Sequence, residues 1–470
     1  MKSITDLLLP KLVNYLDRDL IGNSKKVINF IQSAGIYKAH KTHILEVFKK
    51  LEDPANPYHR AIKNLKTELH ENVRKKFIGS FLLKAGILTK GKRMKLKEKY
   101  QQQIPWAILM DPTSQCNLEC IGCWANDYKK TDSLSSDLLD RIIREGKELG
   151  TYTYLFSGGE PLMRKKDIIK LCDKHPDCYF LAFTNGTLIN DKFAKEVVGV
   201  GNFAPALSIE GFEEMTDFRR GAGTYEKVIR AMDILKKHGI LFGFSAAYHR
   251  RNTDVIASDS FLDLMEQKGC RFGWYFTYIP VGSDAQPDLI VTPEQRAFMF
   301  HRIREARKER PMFLMDFWND GEFAGGCVAG GRQYCHINAR GDVEPCAFIH
   351  YSNVNIKDMS LKEALKQPIF EEYRKNQPFN HNHLRPCPCL DNPEQLRKMV
   401  HASEAKSTQI NDMESVENLT SKCENHACGW ASVADKLAKG EPVGKGTPKP
   451  NGRGKKADIQ SEILNTEEVV

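Results

Sequence analysis

Short apolar runs alternate with amphipathic segments along the chain from residue 106 onward. Apolar runs of this length are typical of buried strands, and six of them predict strands at 106–111, 151–156, 178–183, 203–209, 240–247 and 272–278. Apolar residues at helical spacing predict helices between these strands, for example at 135–149, 165–174, 191–198, 225–238 and 258–268. Because strands that alternate with helices indicate parallel β/α units, residues 101–320 are predicted to form an α/β domain.

The first hundred residues have a different pattern, without such alternation. Their apolar residues recur at helical spacing, as in Ile4, Leu7, Leu8, Leu12 and Tyr15, and again in Ile44, Val47, Phe48 and Leu51. Prolines and glycines separate these segments. We therefore predict a mostly helical N-terminal region at 1–100.

The net charge of +9 is concentrated in this N-terminal part of the chain. Residues 1–105 hold 22 Lys and Arg against 9 Asp and Glu, which is about +13, so the remainder carries about −4. The lysine-rich stretch at 84–99 is either a solvated helical face or a surface that contacts an anionic membrane or an acidic partner. No recognisable nucleic-acid fold accompanies the charge, so nucleic acid is not expected as a partner.

Length and cysteine content restrict the class of protein further. A chain of 470 residues suits two or three domains, and it has no apolar run near the roughly 18 residues of a membrane span. The apolar stretch at residues 7–9 is too short for a signal peptide. Thirteen cysteines without an export signal favour reduced, metal-binding thiols, which predicts a cytoplasmic protein, with peripheral membrane contact through residues 1–105 left open.

Three cysteines follow the first predicted strand. Cys116, Cys120 and Cys123 are separated by three and then two residues, and thiolate is the ligand that selects iron–sulfur clusters. Three ligands would leave the fourth iron of a cubane free to bind a small molecule. Zinc is the alternative, although a structural zinc needs four nearby ligands.

A glycine-rich segment follows the second predicted strand. Its sequence is Ser157-Gly158-Gly159-Glu160-Pro161, in which paired glycines let a ligand approach the backbone. The Glu160 carboxylate can accept hydrogen bonds from a cationic amine. Both segments follow strands, and parallel β/α barrels place their chemistry on the loops after the strands.

Taken together, the cysteine triplet and the Gly-Gly-Glu-Pro segment resemble the radical S-adenosylmethionine (radical SAM) superfamily. The resemblance implies an open six-unit parallel β/α barrel, a [4Fe–4S] cluster on the three cysteines, and S-adenosylmethionine bound to the open iron. It also implies that Gly158, Gly159 and Glu160 contact the amine of S-adenosylmethionine. One departure is visible: the superfamily usually has an aromatic residue before the third cysteine, and this chain has Gly122 there and Trp124 after it.

Further candidate contacts to S-adenosylmethionine follow later strands. The Asn185 amide can bind a ribose or a carboxylate, and helix capping is its alternative role. Ser208 and Glu210 face the same side of the fourth strand and resemble the superfamily's ribose segment. One of Arg219 and Arg220 could hold the carboxylate of S-adenosylmethionine, and a surface salt bridge is the alternative.

Seven cysteines lie beyond residue 320, and their spacing resembles the SPASM or twitch extension of many radical SAM enzymes. That resemblance predicts a domain at 321–438 with an auxiliary [4Fe–4S] cluster on Cys327, Cys346, Cys387 and Cys423. A predicted hairpin turn at 338–342 would bring Cys335 and Cys346 together. Cys335, Cys389 and Cys428 are open as substitute ligands. A zinc site is the alternative for this domain. Residues 439–470 have the composition of a disordered tail.

The resemblance implies reductive cleavage of S-adenosylmethionine to a 5′-deoxyadenosyl radical, which takes a hydrogen atom from a substrate. An electron donor such as flavodoxin or ferredoxin is expected. Peptide or protein modification is the first substrate hypothesis, and modification or coupling of a lipid or membrane-associated substrate is the second. A different class also stays open: a non-catalytic iron–sulfur or zinc protein whose basic arm binds a partner.

Overall fold

A nine-stranded sheet forms the centre of the computed structural model, which describes residues 4–33, 50–282, 284–409, 413–441 and 443. The strand order is β7-β6-β5-β4-β3-β2-β1-β8-β9, and only the β8–β9 pair is antiparallel. The strands are β1 (Ala107–Met110), β2 (Thr153–Phe156), β3 (Tyr179–Thr184), β4 (Phe203–Ser208), β5 (Gly243–Tyr248), β6 (Phe272–Thr277), β7 (Phe313–Asp316), β8 (Tyr334–Ile337) and β9 (Val343–Glu344). A separate antiparallel pair joins β10 (Tyr351–Ser352) to β11 (Lys406–Ser407).

Helices follow the parallel strands and cover the sheet. The N-terminal ones are α1 (Ile4–Arg18), α2 (Leu20–Ser33), α3 (Pro57–Glu68), α4 (Glu71–Lys76), a π-helix (Phe77–Leu88) and α5 (Lys90–Tyr100). Those of the sheet region are α6 (Ser136–Leu149), a 3₁₀ turn (Pro161–Arg164), α7 (Lys165–Lys174), α8 (Asp191–Val200), α9 (Glu213–Arg220), α10 (Thr224–Lys237), α11 (Thr253–Ile256), α12 (Asp259–Gln267), a 3₁₀ turn (Pro287–Leu289) and α13 (Pro293–Glu309). The C-terminal helices are α14 (Gly321–Ala324), α15 (Leu361–Ala364), α16 (Pro368–Asn376), α17 (Pro393–Ser403) and α18 (Val416–Ala438).

The predicted open parallel β/α architecture is confirmed. All six predicted strands are present as β1 to β6, and within the described residues the sheet stays open, with β7 and β9 at its two edges. Strand residues alternate between two buried environments, so the runs are apolar throughout. In β3, Phe180 and Ala182 pack under the helices, whereas Leu181 and Phe183 lie on the opposite, half-buried face that we call the lumen.

The N-terminal helices close the base of the lumen. Leu65, Leu69 and Val73 pack in one buried cluster with residues at the beginnings of the strands, such as Tyr179 and Phe272. Phe77 and Phe81 of the π-helix stack on each other and also contact Tyr179. The region is helical as predicted, although the pattern at residues 44–48 lies outside the described residues.

The C-terminal region is joined to the main sheet. Strand β8 pairs in parallel with β1, and β9 turns back on β8, so the sheet continues across the boundary predicted at residue 320. Helix α18 packs against α13 and α17. Arg296 of α13 is fully buried, pairs with Asp391 and lies 4.3 Å from the ring centre of Trp430 in α18.

No helix among the described residues is both long enough and apolar enough to cross a membrane. Most of the tail predicted for residues 439–470 lies outside the described residues.

We expect Leu69→Ala to lower the free energy of unfolding by about 2–4 kcal/mol, because the substitution leaves a cavity between α3 and the strand beginnings. Chemical denaturation measures the change, with the exposed Lys63→Ala of α3 as control. A loss equal to that of the control would show that the N-terminal helices do not stabilise the sheet.

Candidate functional site

The candidate site lies where the loops after β1, β2, β3 and β4 meet, at the carboxyl edge of the sheet. We call residues 111–134 the cysteine loop and residues 157–161 the glycine–glutamate segment. The backbone N–H of Gly159 donates to Thr113 O (3.0 Å), and that of Glu160 donates to Gln115 O (2.7 Å). These two bonds join the two predicted motifs directly.

Glycine is required at the contact between these segments. Gly158 has φ of +98°, a left-handed conformation that favours glycine, and a Cβ there would overlap the side chain of Asp111. A Cβ at Gly159 would overlap the carbonyl of Gln115. The paired glycines therefore allow the segment to lie against the cysteine loop, one residue before Cys116.

The three cysteines of the loop are half-buried free thiols. Burial raises the pKa of Cys116 to about 11, and the backbone N–H of Leu118, which donates to its sulfur, opposes that rise. Burial also raises the pKa of Cys123. Since thiolates are the metal-binding form, a cluster would displace protons from this loop.

Glu160 connects the glycine–glutamate segment to the loop after β3. Its buried carboxylate accepts hydrogen bonds from the Thr184 hydroxyl (2.6 Å) and from the backbone N–H groups of Asn185 (2.7 Å) and Leu162 (2.9 Å). Burial raises the pKa of Glu160, and these three donors oppose the rise. A carboxylate accepts about four hydrogen bonds, so one acceptor position is left for an amine.

Asn185 lies beside the cysteine loop. Its Nδ2 donates to Asn117 Oδ1 (2.9 Å), and its Oδ1 accepts from the backbone and hydroxyl of Thr187. Ser208 ends β4 and is half-buried on the lumen side. The contacts of Asn185 and Ser208 with S-adenosylmethionine stay predictions.

Glu210 has chain partners at both carboxylate oxygens. Its Oε1 accepts from Arg219 Nη1 (2.6 Å) and from Arg220 Nε (2.9 Å) and Nη2 (2.5 Å), and its Oε2 accepts from the backbone N–H of Ala247 (3.1 Å). Burial raises the pKa of Glu210, but the two guanidinium groups outweigh it and the pKa falls below its usual value. This geometry favours a role in orienting Arg220, and direct contact of Glu210 with S-adenosylmethionine stays a prediction. The surface salt bridge considered for the arginines is wrong, because all three groups are buried or nearly so.

Tyr278 fills the space beside Gly122. Gly122 has φ of +62°, and a Cβ there would overlap the Tyr278 ring, which is buried after β6. Trp124 instead packs edge-on against His336, Phe348 and His350. The ring that adjoins the cysteine loop at this point therefore comes from the segment that follows β6.

A buried charge network, which the sequence did not predict, contacts the first residue of the cysteine loop, Asp111. His336 of β8 lies between Asp111 (Nε2 to Oδ2, 2.9 Å) and Glu344 of β9 (Nδ1 to Oε2, 2.7 Å). Burial lowers the pKa of His336, but the two carboxylates outweigh it and raise the pKa to about 10. Nothing in the sequence pattern identified His336 or its partners, since Asp111 lies far from β8 in the chain.

Three of the predicted auxiliary ligands open into one cavity of about 190 Å³, namely Cys327, Cys346 and Cys387. Its other walls are mostly apolar and include Trp274, Phe317, Trp318 and Phe348. Burial raises the pKa of Cys327 to about 11 and that of Cys346 to about 12. Cysteine ligands in a shell of this kind suit an iron–sulfur cluster.

The remaining C-terminal cysteines are placed less clearly. Cys423 of α18 lies 3.8 Å from Cys389, sulfur to sulfur, and neither of the two lines this cavity. Cys428 is exposed on α18. The expected approach of Cys335 to Cys346 is wrong. The β8–β9 register pairs His336 with Glu344, so Tyr334 and not Cys335 comes opposite Cys346, and the Tyr334 hydroxyl donates to the Cys346 sulfur (2.7 Å).

Within the described residues, no group of three or more His, Cys, Asp or Glu side chains converges on a point that a single metal ion could occupy. The cysteines outside both predicted sites, Cys172, Cys178 and Cys270, are buried core residues.

Comparison with known proteins gives matches over both predicted domains. A model of the radical SAM superfamily matches residues 110–254, and a model described as an iron-sulfur cluster-binding domain, SPASM, matches residues 327–391. An AdoMet-dependent heme synthase of Methanosarcina barkeri is 24% identical over 301 residues, 58% of this chain and 84% of the relative. A PqqA peptide cyclase of Granulibacter bethesdensis is 24% identical over 296 residues, 57% of this chain and 76% of the relative.

Among solved structures, Streptococcus suis SuiB bound to the precursor peptide SuiA is similar to this chain at 16% identity. The TM-score is 0.55, and the match covers 71% of this chain and 79% of SuiB. At that identity the similarity supports the fold alone.

We expect Gly159→Ala to abolish cluster loading, because the added Cβ would separate the glycine–glutamate segment from Gln115. Iron content and the cluster's visible absorption measure the loss after anaerobic reconstitution. Gly199→Ala is the matched control, since a Cβ at that position of α8 meets nothing within 4 Å. Normal loading of Gly159→Ala would contradict the required close contact.

The His336 network predicts a pH dependence of stability. The imidazole has a pKa near 6.5 in the unfolded chain and about 10 in the folded one, so its contribution is complete below pH 6.5 and is lost as the pH rises towards 10. The free energy of unfolding should fall more steeply between pH 7 and 10 in the wild type than in His336→Gln. If the free energy of unfolding depends on pH in the same way in the wild type and in His336→Gln, His336 is not held as a cation.

Proposed function

Because the chain belongs to the radical SAM superfamily and carries a SPASM extension, we propose that its cysteine loop holds the core cluster and that its glycine–glutamate segment receives S-adenosylmethionine. A radical SAM enzyme uses a [4Fe–4S] cluster and S-adenosylmethionine, and the SPASM domain implies auxiliary iron–sulfur binding. The observation that carries the residue assignment is the pair of backbone bonds from Gly159 and Glu160 to the cysteine loop. These bonds hold Glu160 within the same small volume as Cys116.

When bound, the cluster supplies one electron that cleaves S-adenosylmethionine, and the resulting 5′-deoxyadenosyl radical removes a hydrogen atom from the substrate. The chain's own residues provide position. Glu160 offers its remaining acceptor position to the amine, and Asn185 and Ser208 offer polar groups for the ribose or carboxylate. Glu210 fixes Arg220 beside Cys120, and Tyr278 covers the loop at Gly122.

The lumen suits an apolar reacting group. Its half-buried wall includes Leu181 and Phe183 of β3 and Trp274 and Phe276 of β6, and the rings of Phe183, Trp274 and Phe276 contact one another. Such a wall excludes water and offers dispersion contacts, so we propose that the abstracted hydrogen belongs to an aliphatic or aromatic group.

A side chain of a peptide or protein is the first candidate for that group. The relative named PqqA peptide cyclase supports this class, since its match covers 57% of this chain and 76% of the relative. A lipid or membrane-associated substrate is the second candidate, which the apolar lumen and the basic N-terminal region favour together. Exposed lysines of α5, among them Lys95, Lys97 and Lys99, would contact an anionic surface in that case.

The cleavage step gives the decisive test. Protein reconstituted anaerobically with iron and sulfide should release 5′-deoxyadenosine from S-adenosylmethionine and dithionite, and Cys116→Ala should release none. Cys270→Ala, a buried thiol of the core, is the control and should retain turnover. Bound zinc without nucleoside product would favour the non-catalytic alternative.

Substrate class is tested in the same assay with deuterated candidates. Transfer of deuterium into 5′-deoxyadenosine from a peptide, from an acyl chain in anionic vesicles or from a porphyrin would identify the class. The porphyrin is included because one relative is named a heme synthase.

A further inference from the structure

Arg220 is held in a fixed orientation toward one predicted cluster ligand. Its Nη1 lies 3.9 Å from the sulfur of Cys120, within donor distance for a sulfur acceptor. Its Nε and Nη2 both donate to Oε1 of Glu210, at 2.9 and 2.5 Å. Two of the three nitrogens are therefore committed to one carboxylate, and the third faces the cysteine loop.

The surroundings make this orientation rigid. Glu210 is fully buried, and its other oxygen accepts from the backbone of Ala247, so the carboxylate cannot turn away without losing partners. The neighbouring residue reinforces the contact, since Arg219 O accepts from the backbone N–H of Ile121 (2.9 Å). The end of α9 thus contacts the cysteine loop on both sides of the bond between residues 120 and 121.

A cation held beside a cluster sulfur has an electrostatic consequence. Reduction adds one negative charge to the cluster, and a fixed N–H donor with positive charge stabilises the more negative state. The energy of such an interaction is larger in a partly buried site than in water. Cys120 is half-buried, so solvent would screen the interaction only in part.

We propose that Arg220 is a positioning residue that raises the reduction potential of the core cluster through its contact with Cys120. The electron comes from the external reductant, and no covalent bond forms or breaks in this step. The inference rests on the proposed function, because it takes the cysteine loop as the cluster site. An Arg220 that only completes the ion pair with Glu210 would leave the potential unchanged.

The test is a redox titration of the reconstituted protein with dithionite, followed by electron paramagnetic resonance without S-adenosylmethionine. Omitting S-adenosylmethionine separates an effect on the cluster from any contact of Arg220 with S-adenosylmethionine. We expect a lower potential in Arg220→Gln, which keeps an N–H donor but loses the charge, and a smaller decrease in Arg220→Lys. Arg251→Met is the control, since Arg251 packs over Phe218 of the same helix and should leave the potential unchanged.

The outcomes distinguish failure of the inference from failure of the proposed function. A wild-type potential in Arg220→Gln with full iron content would overturn it while leaving the proposed function intact. A wild-type protein that forms no [4Fe–4S] signal would instead overturn the proposed function. If Arg220→Gln does not load iron, Glu210→Gln gives the second measurement, and an unchanged potential there together with one in Arg220→Lys would overturn the inference.

Discussion

The close contact between the cysteine loop and the glycine–glutamate segment is the constraint on which the site depends. Two backbone hydrogen bonds form this contact, and both glycines are needed because a side chain at either position would overlap the loop. The contact brings the carboxylate of Glu160 next to the cysteines. Without it, the two loops would be separate pieces of the same sheet edge, and no surface would present sulfur and carboxylate together.

Buried ion pairs fix the C-terminal region against this site. His336 links β8 to Asp111, the first residue of the cysteine loop, and to Glu344 of the β8–β9 hairpin. Asp391 accepts from the backbone N–H of Cys387 (3.0 Å) while it pairs with Arg296 of α13. Breaking one partner of a buried pair leaves an uncompensated charge and costs several kcal/mol, roughly 3–5. These pairs therefore hold Cys387, one of the predicted auxiliary ligands, at a defined place relative to the main sheet.

The sequence predicted some structural features correctly and others wrongly, for identifiable reasons. Strand positions could be predicted because each strand is buried on both faces and appears as a continuous apolar run. The expected approach of Cys335 to Cys346 was wrong because strand alternation turns Cys335 to the other face of β8. Arg219 and Arg220 could not be separated from surface residues, since their burial depends on Glu210, which belongs to a different element.

By itself the sequence determined the α/β architecture, the cysteine triplet and the glycine–glutamate segment, because periodicity and local spacing are properties of consecutive residues. Only the tertiary structure decided which groups share a site. It placed Tyr278 beside Gly122, His336 beside Asp111 of the cysteine loop and Arg220 against Cys120. The physical reason is that these contacts join residues far apart in the chain, and their energies depend on burial and distance, which no local pattern encodes.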